Sequence, residues 1–242
     1  MANPVQVVEN LADNSTTVDF AYGGNITSGN LLTLEITSFS AVAITAGQLT
    51  KVAGTATIGT IALDDEQTDG TSVAVAIFSI PVTGTGSCTL RFTGSAGGYY
   101  WGNTSEWAGL QSTKETSNSA TGSSATADSG NVTSAAGAVF VGLAGTNQAN
   151  ADTYTADGAY TVLNEEEGGA THQTGQSAYK TVGTGNTDSF TSTLGGSHVW
   201  CCCAVVYAAA AGGPSAGTDT ATAGLTESLN TVTVTLSIQE SG

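Results

Sequence analysis

The most conspicuous residues that could do chemistry in this chain are three consecutive cysteines, Cys201 to Cys203. Neighbouring residues of a β-strand point to opposite faces, so three in a row cannot converge on one metal ion. The first and third cysteines share a predicted strand face with Val199 and Val205, which is typical of small apolar side chains that fill a core. The pattern therefore predicts buried thiols and no metal site.

Carboxylates form two clusters, Asp64-Asp65-Glu66 and Glu165-Glu166-Glu167. We expect both clusters at turns, where consecutive carboxylates splay apart into solvent. Calcium binding is the rival interpretation, because hard cations take oxygen ligands in flexible loops. Neither cluster has the alternating acidic ligands and central glycine of a calcium loop, so no metal is predicted here either.

Two single glutamates, Glu35 and Glu106, could be the paired acids that glycoside hydrolysis requires. Glu35 lies on the threonine-lined face of its predicted strand, which we expect to meet solvent, and Glu106 is expected to have a structural role. Neither His172 nor His198 has a serine or cysteine nucleophile motif beside it. No catalytic residue and no cofactor are therefore predicted, and the chain is interpreted as a non-enzyme.

The densest aromatic cluster begins at Tyr99. Alternation puts Tyr99, Trp101 and Trp107 on one face of an unbroken strand. Exposed rings on a β-sandwich offer a large rigid surface to a sugar or a protein, and Gly97-Gly98 beside them favours an exposed hairpin. These three aromatic residues are the predicted ligand-binding residues, and packing into the core is the alternative.

The charge of the chain argues against two classes of partner. Acidic residues number 20 and basic residues 4, which gives a formal net charge of −16, and the basic residues are scattered. Nucleic acids and anionic membranes both require clustered positive charge, so neither partner is predicted. Hydrophobic residues make up 40% of the chain, which indicates a packed core and not a disordered chain.

Strands must position these residues, since short β-branched runs recur between turn residues and no stretch has helical periodicity with caps. Almost the same phrase occurs twice, as Asn25-Ile26-Thr27-Ser28 and as Asn131-Val132-Thr133-Ser134, each followed by an apolar run. The pattern predicts an all-β fold, an antiparallel β-sandwich or jelly roll. We predict a sandwich domain at 1–211 built from two related halves, at about 5–111 and 131–210.

Two further segments connect or follow these halves. Residues 112–130 are either a long surface connection or an extended strand with little to bury. Residues 212–242 are predicted to be a linker and a C-terminal β-arm, because Gly212-Gly213-Pro214 precedes an alternation of apolar residues and threonines. The strand of this arm either folds back onto its own sandwich or adds to the sheet edge of a neighbouring subunit. The predicted subunit-contact residues of the arm are Leu229, Val232, Val234, Leu236 and Ile238.

Several of these pieces resemble a known group of domains. Thr27-Ser28-Gly29-Asn30-Leu31-Leu32, Glu106-Trp107-Ala108-Gly109-Leu110 and the second phrase at 133–139 are similar to motifs of a widespread β-sandwich domain of bacteriophage structural proteins and related bacterial surface proteins. Such domains end on a Trp-containing strand, and Val199-Trp200-Cys201 takes that place here. The resemblance covers roughly residues 5–210, and it implies a fold and a setting without a biochemical activity.

The resemblance and the charge together predict a non-enzymatic bacteriophage virion protein that decorates or stabilises the capsid or forms an appendage. The expected partners are other virion proteins, such as the major capsid or tail proteins, and further copies of the chain in a homo-oligomer. The alternative is a carbohydrate-binding adhesin of a tail fibre or host-attachment device, with a surface glycan as ligand. No secretory signal and no membrane-spanning run occur in the sequence, so we expect a protein made in the host cytoplasm and located in the virion.

Overall fold

The structure, a computed structural model, describes residues 2–39, 42–147, 153–167 and 173–210, and for residues 95–97 it describes the backbone alone. Within these residues the chain forms 15 strands and one 3₁₀ turn at Ala46–Gln48. Every strand pairing among them is antiparallel. The predicted all-β fold of antiparallel, β-sandwich type is confirmed.

The first sheet is made by the N-terminal part of the chain. Its strands are β1 (Pro4–Ala21), β2 (Leu31–Ser38), β3 (Leu49–Ala53), β4 (Thr57–Ile58), β5 (Ala62–Thr68), β6 (Ala74–Gly84) and β7 (Thr89–Trp107). They lie in the order β1, β7, β2, β6 and β4, with β3 paired to β7 and β5 paired to β6. β7 runs without interruption through Gly97-Gly98, so the hairpin that was expected there is wrong.

The second sheet follows directly in the chain. Its strands are β8 (Leu110–Asp128), β10 (Val139–Thr146), β11 (Tyr154–Ala156), β12 (Thr161–Glu166), β13 (Thr174–Thr181) and β15 (Thr191–Ala209), and a separate ribbon is formed by β9 (Val132–Ser134) and β14 (Asn186–Asp188). The order is β11, β15, β10, β13 and β12, with β8 paired to β15. The segment at 112–130 is therefore largely an extended strand, one of the two alternatives left open by its composition.

The two sheets have the same order of their main strands. β1, β7, β2 and β6 lie side by side in the first sheet, as β8, β15, β10 and β13 do in the second. The registers also correspond, because Leu31 at the start of β2 lies opposite Trp107 while Val139 at the start of β10 lies opposite Tyr207. The relation of the two halves stays a prediction, and this shared order is the basis for it.

Three cores hold the sheets together. One belongs to the first sheet and contains residues from Val18 to Tyr100, and a second belongs to the second sheet and contains residues from Ala127 to Val206. The third core lies where the sheets face each other and combines side chains of both, among them Val75, Trp101, Trp107, Val141, Cys201, Cys203 and Tyr207. As a result, β2 and β10 are buried on both faces along their whole length.

Candidate functional site

Burial of β2 on both faces determines the environment of the first candidate acid. Its alternation places Leu32, Leu34 and Ile36 in the core of the first sheet. The opposite face, with Glu35, is covered by the second sheet, and Glu35 has no exposed surface. The expectation that Glu35 meets solvent is wrong, because a period-2 pattern reports which residues share a face and does not report what covers that face.

Glu35 belongs to a chain of hydrogen bonds between the sheets. Its Oε2 accepts a hydrogen bond of 2.8 Å from the amide of Asn103 on β7, and the Asn103 oxygen accepts one of 2.7 Å from Asn164 on β12. No donor among the described residues meets Glu35 Oε1. Burial raises the pKa of the Glu35 carboxyl to about 7, although the hydrogen bond from Asn103 opposes that rise. This carboxyl therefore gains a charge near neutral pH inside a packed interface.

A second buried carboxylate, Asp64 on β5, connects the sheets at another place. Its Oδ2 accepts a hydrogen bond of 2.6 Å from the Tyr207 hydroxyl of β15. The ammonium group of Lys114 on β8 donates to the Asp64 backbone carbonyl. Burial raises the pKa of Asp64, and the hydrogen bond from Tyr207 and the charge of Lys114 counteract this effect. Asp64 thus acts as a polar cross-link between β5 and the second sheet.

The first acidic cluster lies within a strand, and the second lies where a strand ends. Asp64-Asp65-Glu66 is in the middle of β5, where Asp65 Oδ1 accepts a hydrogen bond of 3.1 Å from Ser119 of β8. In the second cluster, Glu165 and Glu166 end β12. The turn prediction is wrong for the first cluster, because polar side chains at the contact between the sheets are indistinguishable from loop residues in a local pattern. For the second cluster it stays a prediction, because Glu167 follows the strand and residues 168–172 lie outside the described residues.

Close approach of the sheets depends on two paired glycines. Gly145 on β10 lies opposite Gly175 on β13. A Cβ atom on Gly175 would lie 2.8 Å from Cγ2 of Thr37 and 2.9 Å from Cε3 of Trp101, which are distances that real Cβ atoms do not adopt. The glycines therefore form a hollow that receives side chains of the first sheet.

This packing buries two of the three predicted ligand-binding aromatic residues and leaves the third partly exposed. Trp101 and Trp107 are completely buried in the core between the sheets, and the Trp107 indole donates a 2.9 Å hydrogen bond to Thr33. Their expected role as an exposed stacking surface is wrong, and the alternative of core packing holds. Tyr99 alone is partly exposed, and its ring makes an edge contact with Phe39 at 6.3 Å between centroids.

Glu106 points to the opposite side of the first sheet from Glu35. It lies opposite Leu32, whereas Glu35 lies opposite Asn103, so the two acids do not flank one bond as a glycosidase pair would. Glu106 Oε1 instead accepts hydrogen bonds of 2.7 Å from the Thr27 backbone and from the Asn30 amide. It binds the first repeated phrase to the end of β7, which is a structural role.

The cysteines are buried in the described part of the chain. Cys201 and Cys203 lie in the core between the sheets and Cys202 in the core of the second sheet, so the predicted alternation of buried thiols is confirmed. Burial raises the pKa of Cys201 to about 12. His198 is partly buried on β15, and His172 lies outside the described residues. Among the residues that the structure describes, no three His, Cys, Asp or Glu side chains are placed to hold a metal ion.

An open cleft of about 520 Å³ lies where β2 begins and β6 ends. Asn30, Pro81, Leu110 and Thr113 are among its lining residues, and none of the described residues that line it is charged. Ala210, the last described residue before the C-terminal segment, also lies there. The predicted arm residues Leu229, Val232, Val234, Leu236 and Ile238 lie outside the described residues.

No family model, curated protein or solved structure matches this chain. The resemblance to phage β-sandwich domains therefore stays a prediction from the motifs. In the part of the chain that the structure describes, no helix has the length and apolar character needed to cross a membrane.

Proposed function

We propose that this chain is a non-enzymatic structural protein of a bacteriophage virion, either a capsid decoration or stabilisation protein or an appendage subunit. The observation that carries the proposal is that the side chains that could do chemistry are packed inside the protein. Glu35, Asp64, Glu106 and the cysteines are all buried at contacts within or between the sheets.

Mechanical rigidity is the property that this architecture supplies. The main strands β2 and β10 are each buried on both faces, and hydrogen bonds through Asn103 and Tyr207 connect the two sheets. Such an interior resists deformation because interlocked side chains cannot move independently. A net charge of −16 also keeps crowded copies soluble.

Contacts with neighbouring proteins would be made by strand edges and loops. β8 is paired on one side only within the described residues, with β15, so it presents backbone groups at an edge. The placement of these contacts on a capsid or a tail is part of the proposal and rests on the motif resemblance.

The test is to measure the chain in purified particles of the phage that encodes it. Quantitative mass spectrometry and electron cryomicroscopy should find a fixed copy number at symmetry-related positions. Purified chain should also bind particles that lack it, whereas an unrelated acidic protein of similar size should not. Absence from purified particles while the chain is abundant in the lysate would refute the proposal, and binding to host cells or a glycan in place of particles would favour the adhesin.

A further inference from the structure

The outer edge of β1 is long and unpaired in the described part of the chain. β1 covers Pro4–Ala21, and β7 is its one partner there. The backbone N–H and C=O groups on its other side form a row that can pair with another strand. Native proteins normally protect such an edge, because it is a template for strand addition.

Apolar side chains accompany this edge. Val5 is 56% exposed, and Val7 and Leu11 are each 37% exposed. Val7 lies opposite Ser105 and Leu11 opposite Trp101. The side chains of Val7 and Leu11 are therefore on the face of the first sheet whose central part packs against the second sheet. Glu9 lies between them on this face, opposite Asn103, and its Oε1 accepts a 2.6 Å hydrogen bond from the Trp101 indole. One carboxylate thus interrupts the apolar strip of Val5, Val7 and Leu11.

The strand at the corresponding position of the second sheet differs. β8 carries Ser, Thr, Asn, Gln and charged residues along most of its length, and none of its residues is among the large exposed apolar side chains. Its inner face is covered by β5, through the contacts of Ser119 and Lys114. β1 therefore has an apolar strip that β8 lacks.

The sequence contains one segment suited to this edge. Residues 229–238 alternate apolar and polar side chains, with Val232, Val234, Leu236 and Ile238 on one face and no charged residue among the ten. A neutral strand adds no repulsion beside Glu9 and the other acids of β1. Its apolar face has the period needed to extend the strip of Val5, Val7 and Leu11.

The described chain ends near the start of β1, within reach of this segment. The Ala210 amide donates a hydrogen bond of 2.8 Å to the Gly109 carbonyl, two residues after Trp107, which lies opposite Pro4 at the start of β1. The 18 residues at 211–228 are rich in Gly, Ala and Thr, and a Gly-rich chain of that length spans about 25 Å on average. The part of β1 from Pro4 to Leu11 is about 23 Å long. Such a match of length and span gives an effective concentration in the millimolar range, which favours the segment of the same chain over that of a second copy.

We propose that residues 229–238 add as a strand to the outer edge of β1 in the same chain and cover Val5, Val7 and Leu11. The proposal goes beyond the virion role and does not depend on it, because it holds or fails for the isolated protein. It selects one of the two alternatives that the sequence leaves open for the arm.

Hydrogen exchange of the full-length protein tests the contact. We expect slow exchange in peptides from β1, and exchange faster by roughly tenfold or more when Val234→Asp and Leu236→Asp are combined, since burial of even one aliphatic side chain is worth about that factor. The matched control combines Thr233→Asp and Thr235→Asp, which adds the same charge on the opposite face and should leave β1 nearly as protected as in the parent. Equal exchange of β1 in all three proteins would refute the proposal.

Disulfide cross-linking identifies the partner. Val7→Cys is combined in turn with Val232→Cys, Val234→Cys and Leu236→Cys, with Thr233→Cys as the opposite-face control, and the native thiols are buried and do not compete. We expect one of the three pairs to give a cross-linked monomer under oxidation. A cross-linked dimer would overturn the proposal in favour of a strand donated by a second copy, and no cross-link with any pair would overturn it altogether.

Discussion

Replacement of Glu35 by glutamine should change the pH dependence of stability. In the folded protein, burial raises the pKa of this carboxyl from the ordinary 4.5 to about 7. The folded state therefore binds the proton more tightly than the unfolded chain does. The resulting stabilisation is fully present below pH 4.5 and is lost as the pH rises through 7.

The size of the effect follows from the pKa difference. One pKa unit corresponds to about 1.4 kcal/mol, so the rise from 4.5 to about 7 amounts to about 3 kcal/mol over the whole range. Between pH 5 and pH 8 the parent should lose about 2 to 3 kcal/mol relative to Glu35→Gln, because the glutamine amide does not ionise. Other carboxylates, such as Asp69, also titrate, but they are common to both proteins and cancel in the difference.

The measurement is the free energy of unfolding in urea at pH 5, 6, 7 and 8, followed by the fluorescence of the buried tryptophans. Glu167→Gln is the control for loss of one formal charge, because Glu167 is an exposed carboxylate directly after β12. A difference between the parent and Glu35→Gln that stays constant from pH 5 to pH 8 would refute the reasoning, since it would mean that Glu35 is not buried between the sheets.

Three further predictions concern packing. Trp107→Ala should lower the free energy of unfolding by about 3 to 5 kcal/mol, measured by chemical denaturation, and a normal stability would show that its ring is not in the core. Gly175→Ala should lower the free energy of unfolding by about 1 to 3 kcal/mol, because the added carbon overpacks against Thr37. Gly158→Ala should change it little, because no atom lies within 4 Å of the added carbon. Equal effects of the two substitutions would contradict the close approach of the sheets. The four buried cysteines should react with a thiol reagent only as fast as the protein unfolds, because burial raises their pKa values, and rapid labelling of the native protein at pH 8 would contradict their burial.

Local alternation was sufficient to predict the parts of the fold that depend on one strand. Cys201 and Cys203 were assigned to one face and Cys202 to the other, because side-chain direction in a strand has a fixed period. This assignment holds in the structure.

The candidate site could not be predicted in the same way, because it is formed by covering one sheet with another. Glu35 and Asp64 have polar neighbours in sequence, which indicates solvent or a turn, yet their partners Asn103 and Tyr207 come from strands 68 and 143 residues away. The paired glycines opposite Trp101 were likewise not recognised as a hollow. The contact between two sheets produces no repeating pattern in the sequence. Gly97 and Gly98, which are typical of a turn, lie within the continuous strand β7.

Each sheet uses one continuous part of the chain, and this has a consequence for biosynthesis. Among the described residues, all ladders of the first sheet can form before residue 110 is synthesised, since in that part of the chain β1 to β7 pair only with one another. Until β10 and β15 follow, Val75, Trp101 and Trp107 have nothing to cover them. The nascent N-terminal part would thus be folded while its apolar face is still exposed. The rate of synthesis of the second part would determine how long that face can associate with other molecules.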